Sequence, residues 1–561
     1  MVLILDLSNE LLHRIIQAIP RNDILSLSLT SKWFHVLCAK ALKRHLTLKK
    51  YCTVSFGNYW GDFDRIHRSY NPKVHVDAKD AILLIEDMIR DPEIMEYPET
   101  MCLGNCRDVG DNRLEYEPWD NDEKEIRRKR QSVITHRYNE LKEMVEDCEF
   151  IPEEEKETSF AALCYTGNEG VAVGLALTML PNLKRIATQD WMRSYSSDRI
   201  CPIIARIAEA NQNPHSIAHN KALANLREFF MSHRDDEGGE DLTLFIPFAM
   251  LPSMRYLGGT EISAEYSYIP GLELRSNSSL VTEIELLESA ISAEDFDELL
   301  CGILALRKFV YHYNNLVNFD CRYEVKGIVG LLRKYAASSL QHLDIVANFS
   351  DARSKDAERQ QCVGFLSMFT ALEVIRLEDV AFQVPSLDSD LNDESSGNGC
   401  SDAQQEGYSQ EADDAQEEGY SQEADDAQEE DDAREEDDIE IEGDANQEDD
   451  FEEQDGAEEA VDVENESSLE QTTMNRLVDF LPVSVESLTL VQIVKDARRQ
   501  ELLCGLLKER SEKLPQLRIL MYEGNDPVDA ATIVAFEESG LIVDSRARSS
   551  ESWAVEEPKA I

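Results

Sequence analysis

Apolar residues recur at helical spacing from the start of the chain. Leu11, Ile15 and Ile19 form one stripe, with Leu12 and Ile16 beside it. Ser8 suits an N-cap, and Glu10 falls in the first turn, where a negative charge favours the helix dipole. Pro20 ends that helix. Asp23 can cap a second helix over Ile24–Leu29, and Thr30 or Ser31 a third that carries Trp33, Phe34 and Leu37. Such a unit of about 40 residues is near the lower limit for independent stability and is expected to lean on something else. Leu11, Leu12, Ile15, Leu25, Leu27, Trp33 and Phe34 exceed what it can bury within itself, so some of them should face a partner.

From about Asp77 a loose cycle begins, in which an amphipathic helix is followed by a short strand-like run. Ala78–Arg90 is the first helix and leads to Glu99–Leu103. Strand-like lines of the form Leu-Pro/Ser-x-Leu-x-x-Leu then recur at Leu180–Ile186, Leu251–Leu257, Ser279–Leu286, Leu306–Val310, Ser339–Ile345 and Ala371–Leu377. After a gap they return at Val485–Leu490 and Leu514–Leu520. Helices are expected between them over Phe296–Leu304, Val325–Ala336, Glu358–Phe369 and Glu501–Lys508. Where nothing intervenes, the spacing from Leu251 onward is about 26–34 residues. One strand and one helix cannot bury their apolar faces alone, but stacked units share a continuous core. The fold class expected is therefore α/β, an irregular solenoid of parallel strands lining one surface and helices lining the other. An ordinary α/β domain with a doubly wound sheet is the alternative.

Two resemblances sharpen this picture. Residues 1–48 resemble an F-box, whose two blocks appear in order: Leu7-x-x-Glu10-Leu11-Leu12-x-x-Ile15, then Asp23-Ile24-Leu25-x-Leu27-x-x-Thr30-Ser31-Lys32-x-Phe34-x-x-Leu37. Ser8 stands where the family usually has proline, and serine can cap the helix instead. The strand–helix cycle resembles leucine-rich repeats of about 20–29 residues, in a degenerate form without a consistent repeat asparagine. An F-box followed by irregular repeats is similar to many fungal F-box proteins. The resemblance implies an F-box that docks on a Skp-type adaptor, and through it on cullin, by Leu7, Glu10, Leu11, Leu12, Ile15, Ile16, Asp23, Leu25, Leu27, Lys32, Trp33 and Phe34. The expected layout is the F-box at 1–48, a connecting segment at 49–76, repeats at 77–385, an acidic insert at 386–472, further repeats at 473–545 and a disordered tail at 546–561.

Composition changes the picture at three points. Formal net charge is −56 over 561 residues. Such a chain is repelled by nucleic acid and by anionic membranes, and partners with a basic surface are favoured. Residues 385–470 supply more than half of that charge, carry Arg434 as their one cation, and repeat Asp402–Asp413 almost unchanged at Asp414–Asp425. So polar a segment cannot bury enough apolar area to fold, and it reads as a disordered insert in one repeat loop. Twelve cysteines are scattered from Cys38 to Cys504, the one close pair being Cys102 and Cys106 without histidine at ligand spacing. Buried thiols in a reducing compartment account for that pattern, with no metal. The aromatic stretch Tyr51–Asn71 reads as packing next to the F-box. Arg127-Arg-Lys-Arg130 has two readings, a nuclear-import cluster or a salt-bridged helix face.

No phosphate loop, His-Glu-x-x-His or Gly-x-Ser-x-Gly is present in the sequence. The expectation is a non-catalytic chain without cofactor or metal, cytoplasmic or nuclear, with no nucleic-acid or membrane partner. By resemblance it is the target-recognition subunit of a cullin-RING ubiquitin ligase, acting by proximity. Two rivals stand beside that reading: a ligase-independent F-box scaffold, and an acidic nuclear protein that chaperones basic partners.

Overall fold

A computed structural model describes residues 7–19, 21–56, 76–104, 121–166, 169–189, 197–213, 222–233, 239–264, 274–314, 324–348, 366–378, 477–491, 498–524 and 530–547. The chain divides into two units, Met1–Pro385 with Met474–Ile561, and Ser386–Thr473. The second unit lies outside the described residues, and with it the whole expected acidic insert.

The first unit is α/β. Three helices open it: α1 (Asn9–Ala18), α2 (Arg21–Thr30) and α3 (Lys32–Leu48). Then come strands β1 (Thr53–Phe56), β2 (Val76–Lys79), β3 (Thr100–Leu103), β4 (Arg185–Gln189), β5 (Glu228–Ser232), β6 (Glu240–Asp241), β7 (Tyr256–Thr260) and β8 (Ile262–Ser263). They are followed by β9 (Glu283–Ser289), β10 (Lys308–Asn314), β11 (His342–Asn348), β12 (Val374–Glu378), β13 (Ser487–Val491), β14 (Ile519–Gly524) and β15 (Ile542–Ala547). Thirteen of these strands form one parallel sheet that follows chain order, except that β2 sits outside β1 at one edge. β6 and β8 pair as a small second sheet. β1 falls inside the segment read as a connection, and β15 runs on to Ala547.

Register explains why the sheet propagates. Met101, Ile186, Phe229, Leu257, Ile284, Phe309, Leu343, Ile375, Leu488 and Leu520 are successive partners across the sheet. All are buried, and all join one core with the apolar faces of the helices. A parallel strand covered by helices needs this unbroken apolar ladder, and each fully buried leucine or phenylalanine contributes about 1.5–3 kcal/mol. β12 and β13 are direct neighbours, pairing Leu377 with Leu490, although residues 386–473 separate them in sequence.

The strands start later than the leucine lines suggest. In each line the first part is a turn, closed by backbone bonds such as Leu183 N to Leu180 O, Met254 N to Leu251 O at 3.1 Å, and Leu517 N to Leu514 O at 3.2 Å. Pro181, Pro252 and Pro515 occupy the second turn position, where a fixed φ helps and a missing N–H costs no ladder bond. The leucines at the turn ends are buried plugs of the core. Hence the line at Leu251–Leu257 yields only β7 from Tyr256 onward.

The helices differ in detail from the sequence reading. Val325–Ala336 is observed as expected, and Arg498–Lys513 contains the expected 501–508. The segment at Phe296–Leu304 is instead Ala293–Leu300, because the Ser292 hydroxyl accepts from Asp295 N and starts it earlier. Of the expected 358–369 helix, Leu366–Met368 is a short 3₁₀ turn, and 358–365 lie outside the described residues. Ala81–Arg90 begins after its cap Asp80, and the residues before it form β2. Of the aromatic stretch, Tyr51 and Phe56 are buried in the main core, and 57–71 lie outside the described residues.

The basic run is a helix face tied into the fold. Arg128 and Lys129 pair with Glu125, and Arg130 is buried against Asp80, which also caps Ala81–Arg90. Arg130 is thus unavailable to an import receptor. Among the described residues no single helix is long and apolar enough to cross a membrane.

Candidate functional site

The N-terminal helices are built by local capping. The Ser8 hydroxyl accepts from Leu11 N at 3.4 Å and starts α1, so serine does here what proline would preset. Glu10's own backbone N–H and the Ser8 hydroxyl hold its carboxyl below the usual range. The Ser31 hydroxyl accepts from Phe34 N at 3.2 Å and starts α3. The three helices close on a small core of Ile16, Ile24 and Cys38, with Ile19, Leu27, Leu37, Ala41 and Leu42 packed against it.

That core divides the apolar residues of each helix into two stripes. On α1, Leu12 and Ile16 are buried, whereas Leu11 (48% exposed) and Ile15 face outward. On α2, Ile24 and Ser28 are buried, whereas Leu25 (46%) and Leu29 (74%) face outward. On α3, Phe34 and Cys38 are buried, whereas Trp33 and Val36 (72%) are exposed, with Trp33 edge-on to Phe34. Residues four apart share a helix face, so both stripes are continuous. Leu7 and Leu27 are half-buried, and Glu10, Asp23 and Lys32 are exposed. The structure therefore brings Leu11, Ile15, Leu25 and Trp33 to the surface together with Leu29, Val36 and Leu46, three residues that fell outside the two motif blocks' emphasis. The signal for Leu29 was legible as Leu25 plus four. Exposed apolar residues grouped in this way mark an interaction surface.

Charge and anchoring add to this surface. Residues 7–50 carry eight Lys and Arg against Glu10 and Asp23, a basic patch on a strongly acidic chain. A shallow depression of about 420 Å³ runs along α3, lined by His35, Ala39, Leu42, Lys43, Leu46 and Thr47. The far end of α3 is fixed to the sheet unit. Leu48 and Tyr51 belong to the main core, Arg44 pairs with Glu93 at 2.9 Å and with Asp91, and His45 meets Tyr97 Oη at 3.3 Å. The Tyr51 hydroxyl donates to Asp87 at 2.8 Å, and burial followed by Asp87 pushes its pKa up. One helix thus spans both cores and holds the exposed stripes in a set direction.

A second cluster lies on the sheet face opposite the apolar ladder. Arg376 on β12 donates to Asp344 on β11 at 3.1 Å and, reaching past β13, to Glu523 on β14 at 2.9 Å. His312 Nε2 on β10 lies 3.0 Å from Arg376 Nη1 and 3.2 Å from Asp344. Burial alone would raise the Asp344 carboxyl, but Arg376, His312 and His342 outweigh it and hold it far below the usual carboxylate range. With its charges paired, this cluster ties the strands on either side of residues 386–473 and is not arranged for acid–base work.

No group of three or more His, Cys, Asp and Glu among the described residues could hold a metal ion. Cys102 is buried, its thiol pushed up to about 12 by burial, which makes it a packing residue. Cys106 lies outside the described residues. No family model matches the chain, and no curated protein matches it.

Proposed function

We propose that this chain is the target-holding subunit of a cullin-RING ubiquitin ligase. In this reading α1–α3 are an F-box that docks on a Skp-type adaptor, and the helix-backed parallel sheet is an irregular leucine-rich-repeat solenoid that holds a target protein. The observation that carries it is the second apolar stripe, Leu11, Ile15, Leu25, Leu29, Trp33 and Val36, left exposed on helices whose first stripe already fills a core of their own. A small helical unit keeps such a surface only if something covers it. The anchoring of α3 in both cores supports the same reading, because a receptor must hold its target at a set distance from the adaptor. The turn-closing leucines and the strand order support the repeat reading. The chain itself would make no bonds; it raises the local concentration of target lysines beside a charged conjugating enzyme.

The net charge of −56 favours a second reading, an acidic binder of basic proteins. Affinity purification of the intact chain separates the two. Recovery of adaptor and cullin together supports the receptor. Adaptor without cullin points to a scaffold, and basic proteins without adaptor to the acidic binder.

A further inference from the structure

The turns that precede the strands form a continuous rim. One residue per strand is linked by backbone bonds of 2.8–2.9 Å: Arg227 N to Lys184 O, Arg255 N to Arg227 O, Thr282 N to Arg255 O, and Arg307 N to Thr282 O. From β4 to β10 this row therefore reads Lys184, Arg227, Arg255, Thr282, Arg307. All four cations are exposed. Glu99 stands before it, and Glu373 and Glu486 begin the later strands β12 and β13, so the basic stretch has defined ends.

These cations differ in what they already do. Lys184 pairs with Glu99 at 3.0 Å. Arg255 is held in place, its Nη1 donating to the carbonyl oxygens of Pro252 and Leu280. Arg227 and Arg307 have no hydrogen-bond or ion-pair partner among the described residues. They begin β5 and β10, three strand spacings and about 14 Å apart. Beside them on the same rim, Leu280 and Leu304 are exposed, their turns joined by a bond from Leu304 N to Ser279 O at 3.1 Å. Two unpaired guanidinium groups and two bare leucines thus share one edge of an otherwise acidic chain. The exposed Glu283 follows Thr282 and leaves the rim with a net positive charge at this point.

We propose that the rim over β5–β10 is a docking surface for an extended, carboxylate-rich segment of another protein, with apolar residues between its acids. An extended segment advances about 3.3 Å per residue, so acids at i and i+4 lie on one face about 13 Å apart and match Arg227 and Arg307. Arginine binds such carboxylates through two parallel bonds. Interleaved apolar side chains cover Leu280 and Leu304. Nucleic acid carries matching charge but is repelled by the net field of the chain. This surface lies apart from the N-terminal helices, so the proposal does not depend on what covers them.

The test is fluorescence anisotropy of a labelled peptide alternating glutamate and leucine, titrated with the full chain at low and at physiological ionic strength. We expect saturable binding that weakens with salt, and a loss of about tenfold or more in the double variant Arg227→Glu/Arg307→Glu. The double variant Arg227→Gln/Arg307→Gln, which adds no new charge, should lose less, and Leu304→Ser should weaken binding at both ionic strengths. Both arginines are exposed and unpaired, so melting and adaptor recovery should be unchanged. Equal affinity in both double variants overturns the proposal, as does equal binding of a lysine–leucine peptide. Tighter binding of a single-stranded oligonucleotide than of the acidic peptide would assign the rim to nucleic acid and overturn it as well.

Discussion

Leu377→Ala tests the continuity of the sheet across residues 386–473. Leu377 is fully buried on β12, paired in register with Ile345 on β11 and with Leu490 on β13. The substitution removes three carbons from a site without solvent, which at about 0.8 kcal/mol per carbon costs about 2.4 kcal/mol. The surrounding ladder is held by backbone bonds and cannot close fully. A residual cavity of roughly 40 Å³ adds about 1 kcal/mol at about 24 cal/mol per Å³. The expected loss is about 3–4 kcal/mol, read as a shift of the urea midpoint followed by circular dichroism. Val534→Ala, at a half-exposed helix position, serves as the control and should change stability by less than about 0.5 kcal/mol. A loss below about 1 kcal/mol for Leu377→Ala would mean that β12 and β13 do not share a core, and the parallel stack would then end at residue 378.

Two further outcomes follow from the polar groups. Asp80→Asn should destabilise by about 3 kcal/mol, because it leaves Arg130 buried with only Glu169 nearby at 3.9 Å; Asp80→Ala should lose about 1 kcal/mol more through the helix cap. Chemical denaturation of both variants checks this, and equal stability of Asp80→Asn and wild type would refute it. His342 is the second case. Burial holds its folded-state pKa below the ordinary 6.5, against the opposing pull of Asp344, with Lys308 adding to the depression, Glu285 opposing it and Arg376 adding to it. Below pH 6.5 the unfolded chain gains a proton that the folded chain refuses, so stability falls as pH drops from 6.5 toward the folded pKa. His342→Gln should flatten that slope in urea midpoints measured between pH 7 and pH 5, and an unchanged slope would refute it.

How much of this was legible in the sequence depended on what each residue had to do. Helix periodicity and capping marked α1–α3 because Ser8, Ser31 and the four-residue apolar spacings act locally. Which stripe would be buried was not legible, since Leu11 and Leu12 are equally apolar and only the crossing of α1 with α3 separates them. The leucine lines located most strands but placed them early. Their first half fills the core from a turn, and an apolar turn residue looks like a strand residue in one dimension. β5 was missed although Leu223, Leu226 and Phe229 keep the same spacing, because phenylalanine and methionine replace leucine in its strand. β1 and β2 are four residues each, too short for an alternation to stand out, and are defined only by pairing with each other and β3. The cluster of His312, Asp344, Arg376 and Glu523 spans four strands and a long insertion, so no local pattern announces it. The rim cations were equally hidden, each being one residue in a separate turn.

The central claim is that the exposed stripe of α1–α3 docks on a Skp-type adaptor. The most direct measurement is a calorimetric titration of purified adaptor into the full chain and into Leu11→Asp and Leu25→Asp. Both leucines are about half exposed, so the free protein should melt as wild type does. In a complex each aspartate would enter an apolar contact, at a cost of several kcal/mol and therefore about a hundredfold or more in affinity. The account predicts tight binding by wild type and loss of binding by both folded variants. Unchanged affinity in either folded variant, or no binding of the adaptor by wild type, would contradict it.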